Sequence, residues 1–186
     1  MSEKDNVKAL QSGDEASFAN LVKEHQQLVY NAALGILQSV EDAEDIAQDV
    51  FVQAYESIHA FKGESKLSTW LYRITVTKSL DRIKYNNRKK RGGILVSLFG
   101  KNDTIHDVPD FHHPGIQLVN KERSAVLFKA LSLLADNQRI AFTLHKVEGL
   151  SHNEIAEIMK CTLSSIEGLL HRAKQNLRTQ LSNYYK

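Results

Sequence analysis

Apolar residues recur at three- and four-residue steps along the whole chain, and no stretch alternates apolar with polar side chains, so the pattern predicts an all-α fold. Residues 4–11 read as a short helix stopped at Ser12-Gly13. Asp14 is placed to cap a second helix, to about Leu37, with Phe18, Leu21, Val22, His25, Leu28, Val29, Ala32, Ala33 and Ile36 on its buried side. Ser39 caps a third, residues 40–57, packed through Ala43, Ile46, Ala47, Val50 and Ala54. A polar loop over residues 61–66 leads, by way of Ser65 or Ser68 as cap, into a long helix with Leu67, Trp70, Leu71, Ile74, Leu80 and Ile83 on its apolar face. Arg73, Thr77, Asp81 and Arg88 fall on another side of it.

The pattern then lapses. Both prolines (Pro109, Pro114) and four of the nine glycines lie between Gly92 and Gly115, which marks residues 92–117 as a flexible linker. Helical spacing resumes in a helix with Val119, Val126, Leu127, Ala130, Leu131 and Leu134, ending near Ala135. Asp136 or Asn137 caps another, stopped at Gly149. Ser151 and Glu154 form a capping box ahead of a short helix, and a tight turn at Lys160-Cys161-Thr162 leads to a last one with Ile166, Leu169, Leu170, Ala173, Leu177 and Leu181 inward. Short helix, tight turn and longer helix is the spacing of a helix-turn-helix. The expectation is two small helical domains, residues 1–91 and 118–186, the second a helix-turn-helix.

Composition narrows the setting. One cysteine, Cys161, excludes an internal disulfide and fits a reducing compartment. The charged start, MSEKDNVKAL, has no apolar signal core, and no run approaches the ~20 apolar residues that span a bilayer, so a cytoplasmic location is expected. No nucleophile, base and orienting residue converge in one motif and no glycine pattern cradles phosphate, so neither an enzyme, a small-molecule substrate nor a cofactor is expected. His106, His112 and His113 lie in the acidic linker without preorganised ligand geometry, and no metal site is expected.

Local charge is far from even although the net charge is only +2. Glu41, Asp42, Glu44, Asp45 and Asp49 put five acids and no base into nine residues. The helix dipole accounts for the first turn alone. Asp45 and Asp49 share a face with Gln48, which suits a basic, helical protein partner. Lys84, Arg88, Lys89, Lys90 and Arg91 crowd the end of the long helix. Such a cluster either stabilises its own helix end or meets phosphates; beside the loop Phe61-Lys62-Gly63-Glu64-Ser65-Lys66 it suits single-stranded nucleic acid, with bases stacked on rings. Trp70 is either a core residue or a second stacking ring. On the last helix Ser164, Ser165, Gly168, His171, Arg172 and Gln175 face away from the apolar stripe, a surface suited to a major groove, with Lys174 and Arg178 near phosphates. An ordinary helical hairpin with a solvated face, a dimeric helix-turn-helix repressor and an adaptor docking through the acidic helix are the other readings of the separate parts.

Taken together the motifs DAEDIAQDVF (42–51), FKGESKLSTWLYRI (61–74) and EGLSHNEIAEIMKCTLSSIEGLLHRAKQNL (148–177) resemble those of the extracytoplasmic-function (group IV, sigma-E-like) bacterial sigma factors, over about residues 14–182. The resemblance implies that Asp45, Gln48, Asp49 and Phe51 bind the clamp helices of the beta-prime subunit of core RNA polymerase, which the chain would also join through the beta subunit. It implies that Phe61, Lys62, Gly63, Ser65 and Lys66 capture a flipped non-template base of the minus-ten element, and that Trp70, Arg73, Thr77, Arg88, Lys89, Lys90 and Arg91 follow the adjoining promoter DNA. The last helix, through Ser164, Ser165, Gly168, His171, Arg172, Lys174 and Gln175, is implied to read the minus-thirty-five element, the linker to thread toward the RNA exit path, and an anti-sigma factor to be a further partner. The chain departs from the family pattern where Thr77 replaces an asparagine of the base pocket, where Glu167 and Leu169 replace a basic pair, and where Ala135 replaces a proline.

Overall fold

The computed structural model describes residues 3–94 and 121–182, with side chains over 5–89 and 126–182. Its described residues fold into helices and contain no strand. Helix α1 (Glu3–Gln11) turns at Gly13, whose φ of +81° is open to glycine, and Asp14 caps α2 (Glu15–Leu37) by accepting from Ser17 N–H at 2.8 Å. The Ser17 hydroxyl and then this N–H hold the Asp14 carboxyl below its ordinary pKa. Ser39 caps α3 (Val40–Ser57), which tightens into a 3-10 turn (Ile58–Ala60). Neither serine offered as the cap of α4 (Leu67–Ile94) stands at the cap position: Ser65 lies two residues before the helix and Ser68 is already inside it. The linker beyond Ile94, with its prolines and histidines, lies outside the described residues.

The second half runs through α5 (Lys121–Ser132), α6 (Asp136–Phe142), a π-helical turn (Thr143–Val147), α7 (His152–Met159) and α8 (Leu163–Ser182). Two expectations need correction here. The cap of α6 is Ala135, without a side-chain bond, because Asp136 turns instead to Arg139 at 3.0 Å. The helix expected to run on to Val147 widens over its last turn. The capping box of Ser151 and Glu154 is formed as expected, and α7 ends at Lys160 with φ +52° before Thr162 accepts from Ser165 N–H at the start of α8.

Leu21, Leu34, Val50, Ala54, Ile58 and Leu71 form a core between α2, α3 and α4. A second cluster joins the two halves: Ala32 and Ile36 of α2 and Tyr72 and Val76 of α4 pack with Ile140, Leu144, Ile155, Ile158, Ile166 and Leu170. Three features fix this junction. Arg139, only 8% exposed, donates from Nε to the Ile36 carbonyl at 2.7 Å and so caps the end of α2 from the other half. Tyr72 donates its hydroxyl hydrogen to Glu148 at 2.7 Å. Gly35 meets fully buried Thr143 so closely that an added Cβ would lie 2.5 Å from Thr143 Cγ2.

Candidate nucleic-acid and polymerase interfaces

On α3 the inward residues are Ala43, Ile46, Val50 and Ala54, so helical spacing turns Asp45, Gln48 and Asp49 to solvent. The acids do not stand alone. Arg82 of α4 donates to Asp42 at 2.6 Å and to Asp45 at 3.3 Å, Asn86 donates to Asp42 at 3.1 Å, and Lys78 stands 3.9 Å from Asp49. Three of the five acids are therefore counterparts of cations on α4. Asp45 and Asp49 still expose 57% of their side chains, and an exposed pair holds them by only ~0.2–1 kcal/mol. Phe51, expected on this surface, is 9% exposed and part of the core, because it continues the inward stripe toward Ala54 and Ile58. Val52 (58% exposed) and Tyr55 lie outward instead, one and two turns on from Gln48. That spacing was present in the sequence and marks apolar surface the charge pattern had hidden.

The loop before α4 exposes Lys62, Gly63, Glu64 and Lys66, leaves Ser65 half-buried, and turns at Gly63 with φ +71°. Its ring is not offered to a base. Phe61 is 8% exposed, its centroid lies 5.2 Å from that of Trp70, and its carbonyl accepts from Gln11 Nε2 at 2.8 Å. Stacking on Phe61 is thereby corrected, for the physical reason that the core between α1, α3 and α4 is closed by this ring. Trp70 is half-buried and divides between the two readings: it packs on the core and also lines a cleft. Thr77, Arg88 and Lys89 are exposed, while Arg73 is half-buried. The backbone of α4 continues through Lys90 and Arg91, whose side chains are outside the described set.

On α8 Ile166, Leu170, Ala173 and Leu177 are buried, which turns Ser164, Ser165, His171, Arg172, Lys174 and Gln175 outward. Gly168 is half-buried under the Arg172 guanidinium, 3.5 Å from the position of an added Cβ. The faces of α4 and α8 meet. Trp70, Arg73 and Thr77 on one side and Ser164, Ser165, Gly168 and Arg172 on the other line a single cleft of about 820 Å³, and Arg73 pairs with Glu157 of α7 at 2.6 Å. Among the described residues no cluster of His, Cys, Asp and Glu has the geometry to hold a metal ion, and no helix is long and apolar enough to cross a membrane.

Comparison with known proteins agrees with this layout. The family model for sigma-70 region 2 matches residues 21–89, covering α2 to α4, and that for sigma-70 region 4 matches residues 124–177, covering the helix-turn-helix half. The ECF RNA polymerase sigma factor SigW of Bacillus subtilis is 32% identical over 183 residues, 96% of each chain. The ECF RNA polymerase sigma-E factor of Haemophilus influenzae is 30% identical over 179 residues, 94% of this chain and 93% of that one. Among solved structures, CnrH in complex with the cytosolic domain of CnrY superposes with a TM-score of 0.69 at 22% identity over 97% of both chains. The sigma factor RpoE of Bartonella quintana, in complex with the anti-sigma factor NepR, gives the same score over 89% of this chain and 96% of that one. With both sigma regions matched in order and relatives aligned along nearly their full length, the chain belongs to the extracytoplasmic-function RNA polymerase sigma factors and directs promoter-specific transcription.

Proposed function

We propose a three-part division of labour for this sigma factor. The outward face of α3, Asp45, Gln48 and Asp49 extended by Val52 and Tyr55, docks on the clamp helices of the beta-prime subunit of core polymerase. The loop at Lys62 to Lys66 and the α4 stripe of Trp70, Arg73, Thr77, Arg88 and Lys89, continuing to Lys90 and Arg91, meets the minus-ten element. The α8 face from Ser164 to Gln175 meets the minus-thirty-five element. With Phe61 in the core, capture of a flipped base rests on the exposed loop backbone and on Trp70.

One observation carries the proposal: the proposed faces of α3 and α8 are each the solvent side of a helix whose opposite side is core, so their residues are held in place and outward. Extruding a base costs a few kcal/mol and stacking returns ~1–3 kcal/mol, so capture needs the polymerase as well. An anti-sigma protein covering these faces would silence the chain, a reading supported by the superposing sigma factor RpoE of Bartonella quintana, which is seen with the anti-sigma factor NepR.

The test is in vitro transcription by core polymerase with this chain over a genomic library, mapping start sites. Asp45→Ala with Gln48→Ala is expected to abolish capture of core polymerase in a pull-down while leaving helicity intact. Unchanged capture would remove the docking assignment.

A further inference from the structure

The cleft between α4 and α8 has a chemistry of its own. Arg73 of α4, Lys160 of the turn ahead of α8 and Arg172 of α8 all line it, and its lining contains no Asp or Glu. Glu157, outside that lining, takes one Arg73 nitrogen at 2.6 Å and so steadies the guanidinium. Among the described residues neither Lys160 nor Arg172 pairs with a carboxylate, and both side chains are exposed. Helix α8 also starts on the cleft, through Ser164 and Ser165, so the positive end of a 20-residue helix adds to the field. The remaining wall is largely apolar: Trp70, Ile74, Leu80, Met159 and Leu169 face the same space. Phe61 backs the Trp70 indole, its ring centroid 5.2 Å away, while Trp70 itself is only half-buried.

We infer that this cleft binds a small free ligand, a nucleoside polyphosphate, with its base against Trp70 and its phosphates on Arg73, Lys160 and Arg172. Three cations from three elements match a molecule carrying several negative charges. A single carboxylate on an aliphatic tail would leave two of them unmatched. Guanidinium forks take phosphate oxygens two at a time. An indole set in an apolar wall suits a flat heterocycle, which stacks on it whatever the base. The hydroxyls of Ser164 and Ser165 and the amide of Asn137, also on the lining, offer donors and acceptors to a ribose or a base edge. The volume, about 820 Å³, lies inside the ~300–1,000 Å³ range of small-molecule sites.

The site needs neither arginine to touch DNA, so it stands apart from the promoter reading above. Where that reading also holds, a bound nucleotide and a promoter compete for Arg73 and Arg172, and the chain's DNA contacts become responsive to nucleotide supply.

The test takes the full free chain with ATP and with GTP, followed by calorimetry and by the emission of Trp70, the only tryptophan. At least one of the two is expected to bind saturably, with one site per chain, and to quench Trp70. Inorganic triphosphate, which has the charges and no ring, is expected to bind about tenfold more weakly and to leave the emission unchanged. Arg172→Gln and Lys160→Gln, at exposed positions where circular dichroism checks that helicity is intact, are each expected to weaken nucleotide binding about tenfold. Lys129→Gln removes the same charge from an exposed position outside the cleft and is expected to leave binding unchanged. No saturable binding of either nucleotide would overturn the inference. Triphosphate binding as tightly as the nucleotides would also overturn it, as the mark of a bare anion patch. So would wild-type affinity in both cleft variants, which would put the ligand elsewhere.

Discussion

Glu148 sits where the two halves join, and burial there lifts its pKa to about 7 although the Tyr72 hydroxyl hydrogen bond pulls the other way. A carboxyl raised in this manner gives the reverse of ordinary acid denaturation. Between its unfolded value of 4.5 and about 7 the folded chain holds one proton more than the unfolded chain, so stability falls as pH rises through that window. Above it the full cost of a buried charge is present; below 4.5 none is. At 1.36 kcal/mol per unit, the loss between pH 5 and pH 8 is on the order of 2–3 kcal/mol. Replacing Glu148 by Gln keeps an acceptor for Tyr72 and removes the titration. Urea unfolding followed by circular dichroism at pH 5 and pH 8, wild type against Glu148→Gln, isolates this group, because the two chains differ nowhere else. The variant should gain about 2 kcal/mol on the wild type in going from pH 5 to pH 8. Parallel pH dependences in the two proteins would refute the argument. Tyr72 itself stays protonated throughout, since burial and then the charge of Glu148 push its pKa up.

Other expectations follow from burial. Phe61→Ala should lower unfolding stability by ~3–5 kcal/mol, the cost of removing a core ring, whereas a surface stacking ring would cost almost none; thermal unfolding separates the two. Arg139→Ala leaves the Ile36 and Leu134 carbonyls without their donor at 2.7 and 3.2 Å and should cost about 3 kcal/mol in urea unfolding, while Asp136→Ala, which takes the carboxylate from a guanidinium that is itself buried, should cost ~1–3 kcal/mol.

Much of this was legible in one dimension. Helical spacing located the elements, and the hydroxyl or carboxyl caps at Asp14, Ser39 and Ser151 are formed. The acidic face of α3 and the polar face of α8 are outward as their spacing requires. What spacing could not supply was the partner. Arg139 bonds to carbonyls, which every sequence has, so nothing distinguished it from a surface arginine. Asp42 and Arg82 are brought together only by the packing of α3 on α4. Phe51 was placed by family resemblance and Phe61 by the chemistry of its ring, when periodicity and the need to close a core were the stronger forces. The junction of the halves did leave a trace: residues 32–36 (Ala-Ala-Leu-Gly-Ile) carry no polar side chain on any side, and a helix apolar all round has more than one neighbour.

The shared cluster also bears on how the protein is made. Ile36 waits for Ile140, 104 residues later in the chain, so at ~5–20 residues per second the ribosome leaves this stretch of α2 uncovered for roughly 5–20 s. During that interval a nascent chain presents the same sticky surface that its own C-terminal part will later shield, a natural target for holding chaperones.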